Sequence, residues 1–376
     1  MPVVVIDRSV PQAQAYLSVR YELPNEANWD HRFVIEISGY NLAAEDLDKL
    51  QRLFPEALII KHTDHGTLLL YHGMLSQFPD LCLKFSVITG NNSLPLSNAV
   101  QSYFSAMIPF PSDLPEIMGI VNVTPDSFSD GGRYYRLSDA IQHAERLIDE
   151  GATIIDIGGE STRPGSQSVT IEEEKNRVLP VIRAIAKKYP EVKVSVDTTK
   201  AGVADAALLE GAAIVNDISG GTFDNSMLAV CSKHRAPIIL MHTSAAPAIM
   251  QKFTTYCDVV SDIIIWLSNA ADRAVKAGVK VFSIDPGIGF GKTVKDNYTL
   301  IARLREFSSL GYPVLIGLSR KSFIGSALNL KTEERDNPTM TLEFAAMMQG
   351  AKFIRTHNVR NAVMAKELYK NLVTHV

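Results

Sequence analysis

At 376 residues the chain is longer than one typical domain, and a composition of 46% hydrophobic and 21% charged residues gives it the material for a large core. A net charge of −4 supplies no positive field for nucleic acid, and no apolar run of about 18 residues is present to cross a bilayer. The start, MPVVVIDRSVPQ, has too short an apolar patch and no preceding basic residue for an export signal. Cys82, Cys231 and Cys257 lack C-x-x-C spacing and fit a reducing compartment, so a soluble cytoplasmic protein is expected.

Residues 1–112 predict a small α+β domain, with strand-like runs at Arg32–Ser38, Ala57–His62, Thr67–His72 and Leu81–Ile88 and a helical pattern at Ala43–Leu53. Nothing in them points to a reaction, which favours a structural or assembly role. Pro109, Pro111 and Ser112–Pro115 read as a linker.

Over residues 113–376 the texture changes. Apolar runs recur at Ile117–Val123, Thr153–Gly158, Lys193–Asp197, Ala213–Asp217, Pro237–Met241, Val281–Asp285, Pro313–Leu318 and Lys352–Thr356. Segments of helical periodicity, such as Leu137–Glu150 and Asp258–Ala277, lie between them. Gly151, Gly211, Gly278 and Gly311 each follow a helical pattern where a left-handed cap suits a residue without Cβ. Strand and helix alternating in this way predict an α/β fold, a (β/α)8 TIM barrel, with its site at the strands' C-terminal ends. Polar clusters fall there: NVTPDSFSDGG from Asn122, DIGGESTRPGS from Asp156, VDTTK from Val196, NDISGG from Asn216, MHT from Met241, DPGIGFGK from Asp285, SRKS from Ser319 and RTHN from Arg355. GIGFGKT is not a nucleotide P-loop, because only three residues separate Gly287 from Gly291.

In this order these strings resemble dihydropteroate synthase, the folate-pathway family that joins a pterin to p-aminobenzoate; the likeness covers roughly residues 114–372. The reaction so implied displaces pyrophosphate from 6-hydroxymethyl-7,8-dihydropterin pyrophosphate by the aromatic amine, giving 7,8-dihydropteroate. The resemblance carries a role to each matched residue. Asn122 is expected to give Mg²⁺ an oxygen ligand, and Arg355 and His357 to hold the departing anion. Asp197, Asn216, Asp285 and Lys321 are expected to grip the pterin, with Asp285 as the pairing carboxylate and Met241 as an apolar wall. Thr162, Arg163, Pro164, Phe290 and Ser322 are assigned to p-aminobenzoate, the last at a helix start favourable to a carboxylate. Asp130 is expected to close over the transition state. Small-molecule substrates and a homodimer are implied as partners, with neither nucleic acid nor membrane.

Other readings remain open from the residues themselves. Asp197 and Asp285 at strand ends are also placed to cap the backbone that follows, and Asp130 and Arg163 to be solvated loop charges. A folate-dependent methyltransferase barrel would share the pterin grip but has no pyrophosphate to hold. A catalytically silent paralogue would keep pterin binding alone. MHTSAAPAIMQ after the fifth barrel strand, and Asn358 where the family usually has Asp, depart from the family pattern.

Overall fold

The structure, a computed structural model, describes residues 3–7, 33–40, 44–54, 58–63, 66–73, 114–124, 133–162, 166 and 168–374. In the N-terminal region β1 (Val3–Asp7), β2 (Phe33–Tyr40), β3 (Leu58–Thr63) and β4 (Gly66–Gly73) form an antiparallel sheet in the order β1-β2-β4-β3. Helix α1 (Ala44–Leu53) buries Leu47 and Leu50 three residues apart on one face, with Phe54 just beyond it and Leu69 of β4 also buried. The α+β expectation holds for these elements. β1 is an addition to the strand-like runs expected from the sequence. The expected strand at Leu81–Ile88 lies outside the described residues.

The barrel strands fall within a residue or two of the apolar runs: β5 (Glu116–Asn122), β6 (Ile154–Gly158), β7 (Lys193–Asp197), β8 (Ile214–Asp217), β9 (Ile238–Met241), β10 (Val281–Asp285), β11 (Leu315–Gly317) and β12 (Phe353–Thr356). All are parallel, in the order β10-β9-β8-β7-β6-β5-β12-β11. A parallel bridge between Ile284 and Val314 brings the two ends together. The ring is therefore closed. Helices α2 (Arg133–Asp149), α3 (Ile171–Lys188), α4 (Ala201–Leu209), α5 (Met227–His234), α6 (Val259–Lys276), α7 (Val294–Ala302), α8 (Ser322–Leu328), α9 (Asp336–Met348) and α10 (Val359–Thr374) supply the outer layer. Gly151, Gly211, Gly278 and Gly311 have φ of 106°, 104°, 75° and 75°, as their capping role requires.

Strand alternation separates two cores. Ile117, Val121, Ile155, Ile157, Val194, Val196, Ile238, Leu240, Ile316 and Ile354 pack outward against the helices. Met118, Ile154, Ile214, Ile239, Leu315 and Phe353 form the barrel's interior plug. Counting two residues onward from the plug residues reaches Asp156, Asn216, Met241, Gly317 and Arg355, so the alternation that buries the plug also turns the polar strand ends inward.

β1 runs beside the segment Leu304–Leu310 and α6, while both barrel clusters are built from residues after 113. Removing residues 1–111 is therefore expected to leave a barrel that melts cooperatively in circular dichroism. A non-cooperative or aggregating product would show that the N-terminal region completes the barrel's stability.

Candidate active site

A charge inside a barrel has no sideways route to water, so it must pair internally or face the open mouth. Arg355 does both. Its Nε donates to Asp156 Oδ2 at 2.7 Å and its Nη2 to Asp197 Oδ2 at 2.6 Å, tying β12 to β6 and β7. Asn216 Nδ2 adds a fourth strand end, that of β8, by donating to Asp156 Oδ2 at 3.0 Å. Asp156 is fully buried, and its Oδ1 has no hydrogen-bond partner. Burial pushes Asp197 up to about 7; the attraction of Arg355 opposes the shift, and Asp156 and Glu174 add to it. Burial wins because one guanidinium is shared between two carboxylates.

Across the mouth, Asp285 Oδ1 accepts the Gly287 N–H at 2.7 Å, so the capping reading holds for one of its oxygens. Burial raises its pKa against the pull of Lys321. Lys321 is pushed down to about 8 by burial; its Nζ donates to the Ile288 carbonyl and lies 5.0 Å from the Phe290 ring centre. Gly287, at φ 70°, brings the chain so close to His242 that an added Cβ would lie 1.9 Å from the His242 carbonyl oxygen. Beneath this loop Lys292 Nζ sits 3.1 Å from His242 Nδ1 and donates to the Phe290 carbonyl at 2.9 Å. Burial lowers both groups, Lys292 to about 7 and His242 to about 2, so His242 is the neutral partner. The P-loop look-alike is a barrel loop nailed down by its own lysine.

The third corner joins β5 to β12. Asn122 Nδ2 lies 3.4 Å from His357 Nε2, while the His357 N–H and Nδ1 both approach Ser319 Oγ, at 3.1 and 2.9 Å. With Nδ1–H donating to Ser319, Nε2 is left to accept from the Asn122 amide, and the Asn122 carbonyl oxygen is directed elsewhere. Asn358 donates to Asp336 Oδ2 at 3.1 Å and accepts the Asn361 N–H as the cap of α10. Asp336 in turn holds Arg320 through two bonds of 2.6 and 2.8 Å.

The sequence-derived set therefore converges in large part. Asn122, Asp197, Asn216, Met241, Asp285, Lys321, Arg355 and His357 share one barrel mouth, with Thr162 and Phe290 half-buried nearby in sequence on its loops. Arg355 differs from expectation in facing two carboxylates of the interior. Ser322 is exposed at the start of α8, a seven-residue helix, so its amides act as individual donors rather than as the end of a long dipole. Asp130, Arg163 and Pro164 lie outside the described residues. Sequence reading missed Asp156, although a carboxylate inside the apolar run Thr153–Gly158 was a usable signal. It also passed over Ser319, Lys292 and His242, each of which supports a matched neighbour.

The family model described as pterin binding enzyme matches residues 118–357, more than half of the chain. Dihydropteroate synthase of Bacillus subtilis is 48% identical over 253 residues, covering 66% of this chain and 86% of that protein. The chain belongs to the dihydropteroate synthase family. The Escherichia coli member is 45% identical over 67% of this chain and 89% of its own length. The solved Yersinia pestis enzyme, crystallised with a sulfonamide drug complex, is 41% identical, covers 71% of this chain and 96% of its own, and superposes with a TM-score of 0.66. The family match lies within the barrel's share of the chain.

Two substitutions probe this frame. Asp156→Ala leaves Arg355 with half its counter-charge in the interior, and breaking a buried pair typically costs about 3 kcal/mol or more; urea unfolding is expected to show that loss. Asn358→Asp sets a second carboxylate against Asp336 where the amide now donates. It is expected to lower stability by about 1 kcal/mol, with the loss recovered in the double variant carrying Asp336→Asn; denaturant melts of the four-protein cycle measure the coupling.

Proposed function

We propose that this chain is a working dihydropteroate synthase, condensing 6-hydroxymethyl-7,8-dihydropterin pyrophosphate with p-aminobenzoate. The observation that carries the reading is the convergence of Asp156, Asp197, Asn216, Asp285, Lys321 and Arg355 from six strand ends onto one interior, in a chain 48% identical to a Bacillus subtilis enzyme of that name. In the reaction the methylene C–O bond to pyrophosphate breaks, the amine nitrogen forms the new C–N bond, and that nitrogen loses a proton. Positive character gathers on the methylene and pterin ring as the leaving group departs. The carboxylates of Asp197, nearly buried, and Asp285, buried, are assigned to stabilise it, since preorganised charges in a site shielded from water act strongly.

The pterin's adjacent N–H donors suit the Asp285 oxygen that Gly287 does not occupy, and its acceptors suit Lys321 and Asn216. Met241 supplies an apolar wall at the mouth. Pyrophosphate is assigned to the His357 and Asn122 corner, with Arg355 reaching it from the interior pair. No group of three or more acidic, His or Cys side chains able to hold a metal occurs among the described residues. The Asn122 carbonyl, a hard oxygen donor that His357 does not use, would hold Mg²⁺ arriving with the phosphate oxygens, and the ion would neutralise leaving-group charge there. Thr162, Arg163, Pro164, Phe290 and Ser322 are assigned to p-aminobenzoate, and Asp130 to ordering over the methylene.

We also propose a homodimer. Met364, Leu368 and Leu372, spaced four residues apart on α10 and all exposed, give an apolar stripe suited to a second copy. Cytoplasmic residence is the accompanying proposal; no helix among the described residues is long and apolar enough to cross a membrane.

The discriminating assay is pyrophosphate and dihydropteroate formation with and without p-aminobenzoate. Product dependent on both substrates supports the synthase, whereas pterin binding without turnover identifies a silent paralogue. The protonation of Asp197 gives a second test. Its pKa of about 7 means the carboxylate is largely protonated in the weakly acidic range, and bound pterin donors favour the ionised form. Pterin affinity is therefore expected to rise with pH up to about 7 and then level off. Asp197→Asn should flatten that rise in calorimetry; an unchanged profile would assign the titration to another group.

A further inference from the structure

Between β6 and α3 the chain carries Thr162, one of the residues assigned to p-aminobenzoate, and the described residues on either side are held by groups that no substrate role accounts for. Glu160 Oε1 accepts the Val169 N–H at 3.1 Å, and the Ser161 carbonyl accepts Ser166 Oγ at 2.5 Å, so the two ends of the segment are joined. Arg177 of α3 donates to the Gly159 carbonyl at 2.7 Å. A Cβ on Gly159 would lie 2.9 Å from Val178 and 3.0 Å from the Glu174 side chain, which leaves the backbone seated directly on α3.

One cation closes this arrangement. Lys200 Nζ donates to Glu160 Oε2 and also to Glu174 Oε2 at 2.6 Å. The Glu174 side chain is 1% exposed, and its other oxygen, Oε1, is buried with no partner. Lys200 is also three residues beyond Asp197, with its own N–H donated to Thr198 Oγ1 at 3.2 Å. A single ammonium thus joins the segment after β6, the body of α3 and the end of the strand that carries Asp197.

We propose that Lys200 is a positioning residue for the amine substrate, fixing the base of the Thr162 segment relative to the pterin end of the site. It touches no reacting atom. Without the ammonium, Glu160 and the buried Glu174 lose their shared counter-charge and repel, and Glu160 can no longer hold Val169 and the strand end together. Asp156 and Asp197, on the two strands that Lys200 adjoins, are held by Arg355 of β12 rather than by Lys200, and the Asp285 loop lies on another element, so pterin binding is expected to survive. Misplacement of a substrate-orienting element by a fraction of a residue is costly to the reaction it orients. This inference rests on the synthase reading.

The experiment compares full-length wild type, Lys200→Met, Lys200→Arg and Glu160→Gln by steady-state kinetics, with pterin affinity measured separately by calorimetry. Wild-type turnover tests the synthase reading alone; its absence would remove the reading and this inference with it. Given turnover, Lys200→Met is expected to raise the KM for p-aminobenzoate by about tenfold or more, with pterin affinity held within about twofold and much of the effect reversed in Lys200→Arg. Glu160→Gln should raise the same KM without lowering Tm as far, which keeps the test decisive if Lys200→Met does not fold. An unchanged KM for p-aminobenzoate in the folded variants would overturn the inference while leaving the synthase intact. Equal losses of pterin affinity and amine KM would also overturn it, since Lys200 would then be holding the whole mouth.

Discussion

The site depends on one guanidinium held between two carboxylates inside a closed barrel. Alternation along β6, β7 and β12 sends Asp156, Asp197 and Arg355 to the same side as the plug residues, where none of the three can be solvated laterally. Each alone would be prohibitive there. Together they leave a carboxylate excess, visible in the upward shift of Asp197 and in the unpartnered Asp156 Oδ1. Such an excess disfavours the empty site and favours whatever brings N–H donors or developing positive charge into it. The pterin proposed to bind here, gathering positive charge as its leaving group departs, is that kind of guest. Arg355, always protonated, keeps the excess from becoming large enough to open the barrel.

The same logic extends outward through lysines whose burial weakens their hold on a proton. Lys321 and Lys292 are both lowered, and each has a backbone carbonyl of the Asp285 loop as a partner. Lys292 stacks the loop onto neutral His242, which in turn meets Trp266 edge-on at 5.1 Å. These contacts fix the Gly-rich loop without using the free oxygen of Asp285. Positioning and binding are therefore divided between neighbouring side chains, an arrangement that holds a reactive constellation to tight geometry.

What the sequence made legible follows from how far each signal reaches along the chain. The eight strands and the capping glycines were readable because apolar runs and positive-φ needs are local. The inward set was readable because strand ends are where barrels place their sites and the motifs matched a known family. Asp156 escaped because it lies within the apolar run Thr153–Gly158, whose hydrophobic neighbours mark a strand but say nothing of the acid among them. Lys200 and Ser319 escaped for a different reason: their partners are Glu174, 26 residues away, and His357, 38 residues away, and no periodicity reports such pairings. For Arg355, expected to hold the departing anion, the interior carboxylates that compete for it are visible only in three dimensions.

The two departures from the family pattern show how local those substitutions are. In the MHTSAAPAIMQ stretch the new hydroxyls turn on their own backbone: Thr243 Oγ1 donates to the Ala245 carbonyl at 2.7 Å and Ser244 Oγ to the Met250 carbonyl at 3.2 Å. Gly291, at φ 61°, leaves the space that Ser244 Oγ fills, since a Cβ there would lie 1.8 Å from it. Polar groups satisfied within the loop cost little and leave Met241, the wall proposed for pterin, and His242, the partner of Lys292, in place. At the last strand, Asn358 keeps the oxygen that caps α10 and spends its amide on Asp336, so the neutral residue there and the acid on α9 belong to one solution. An Asp at position 358 would keep the cap but would confront Asp336, which already serves Arg320. The departure thus belongs to the support around His357 and leaves the charges of Asp197, Asp285, Lys321 and Arg355 unchanged.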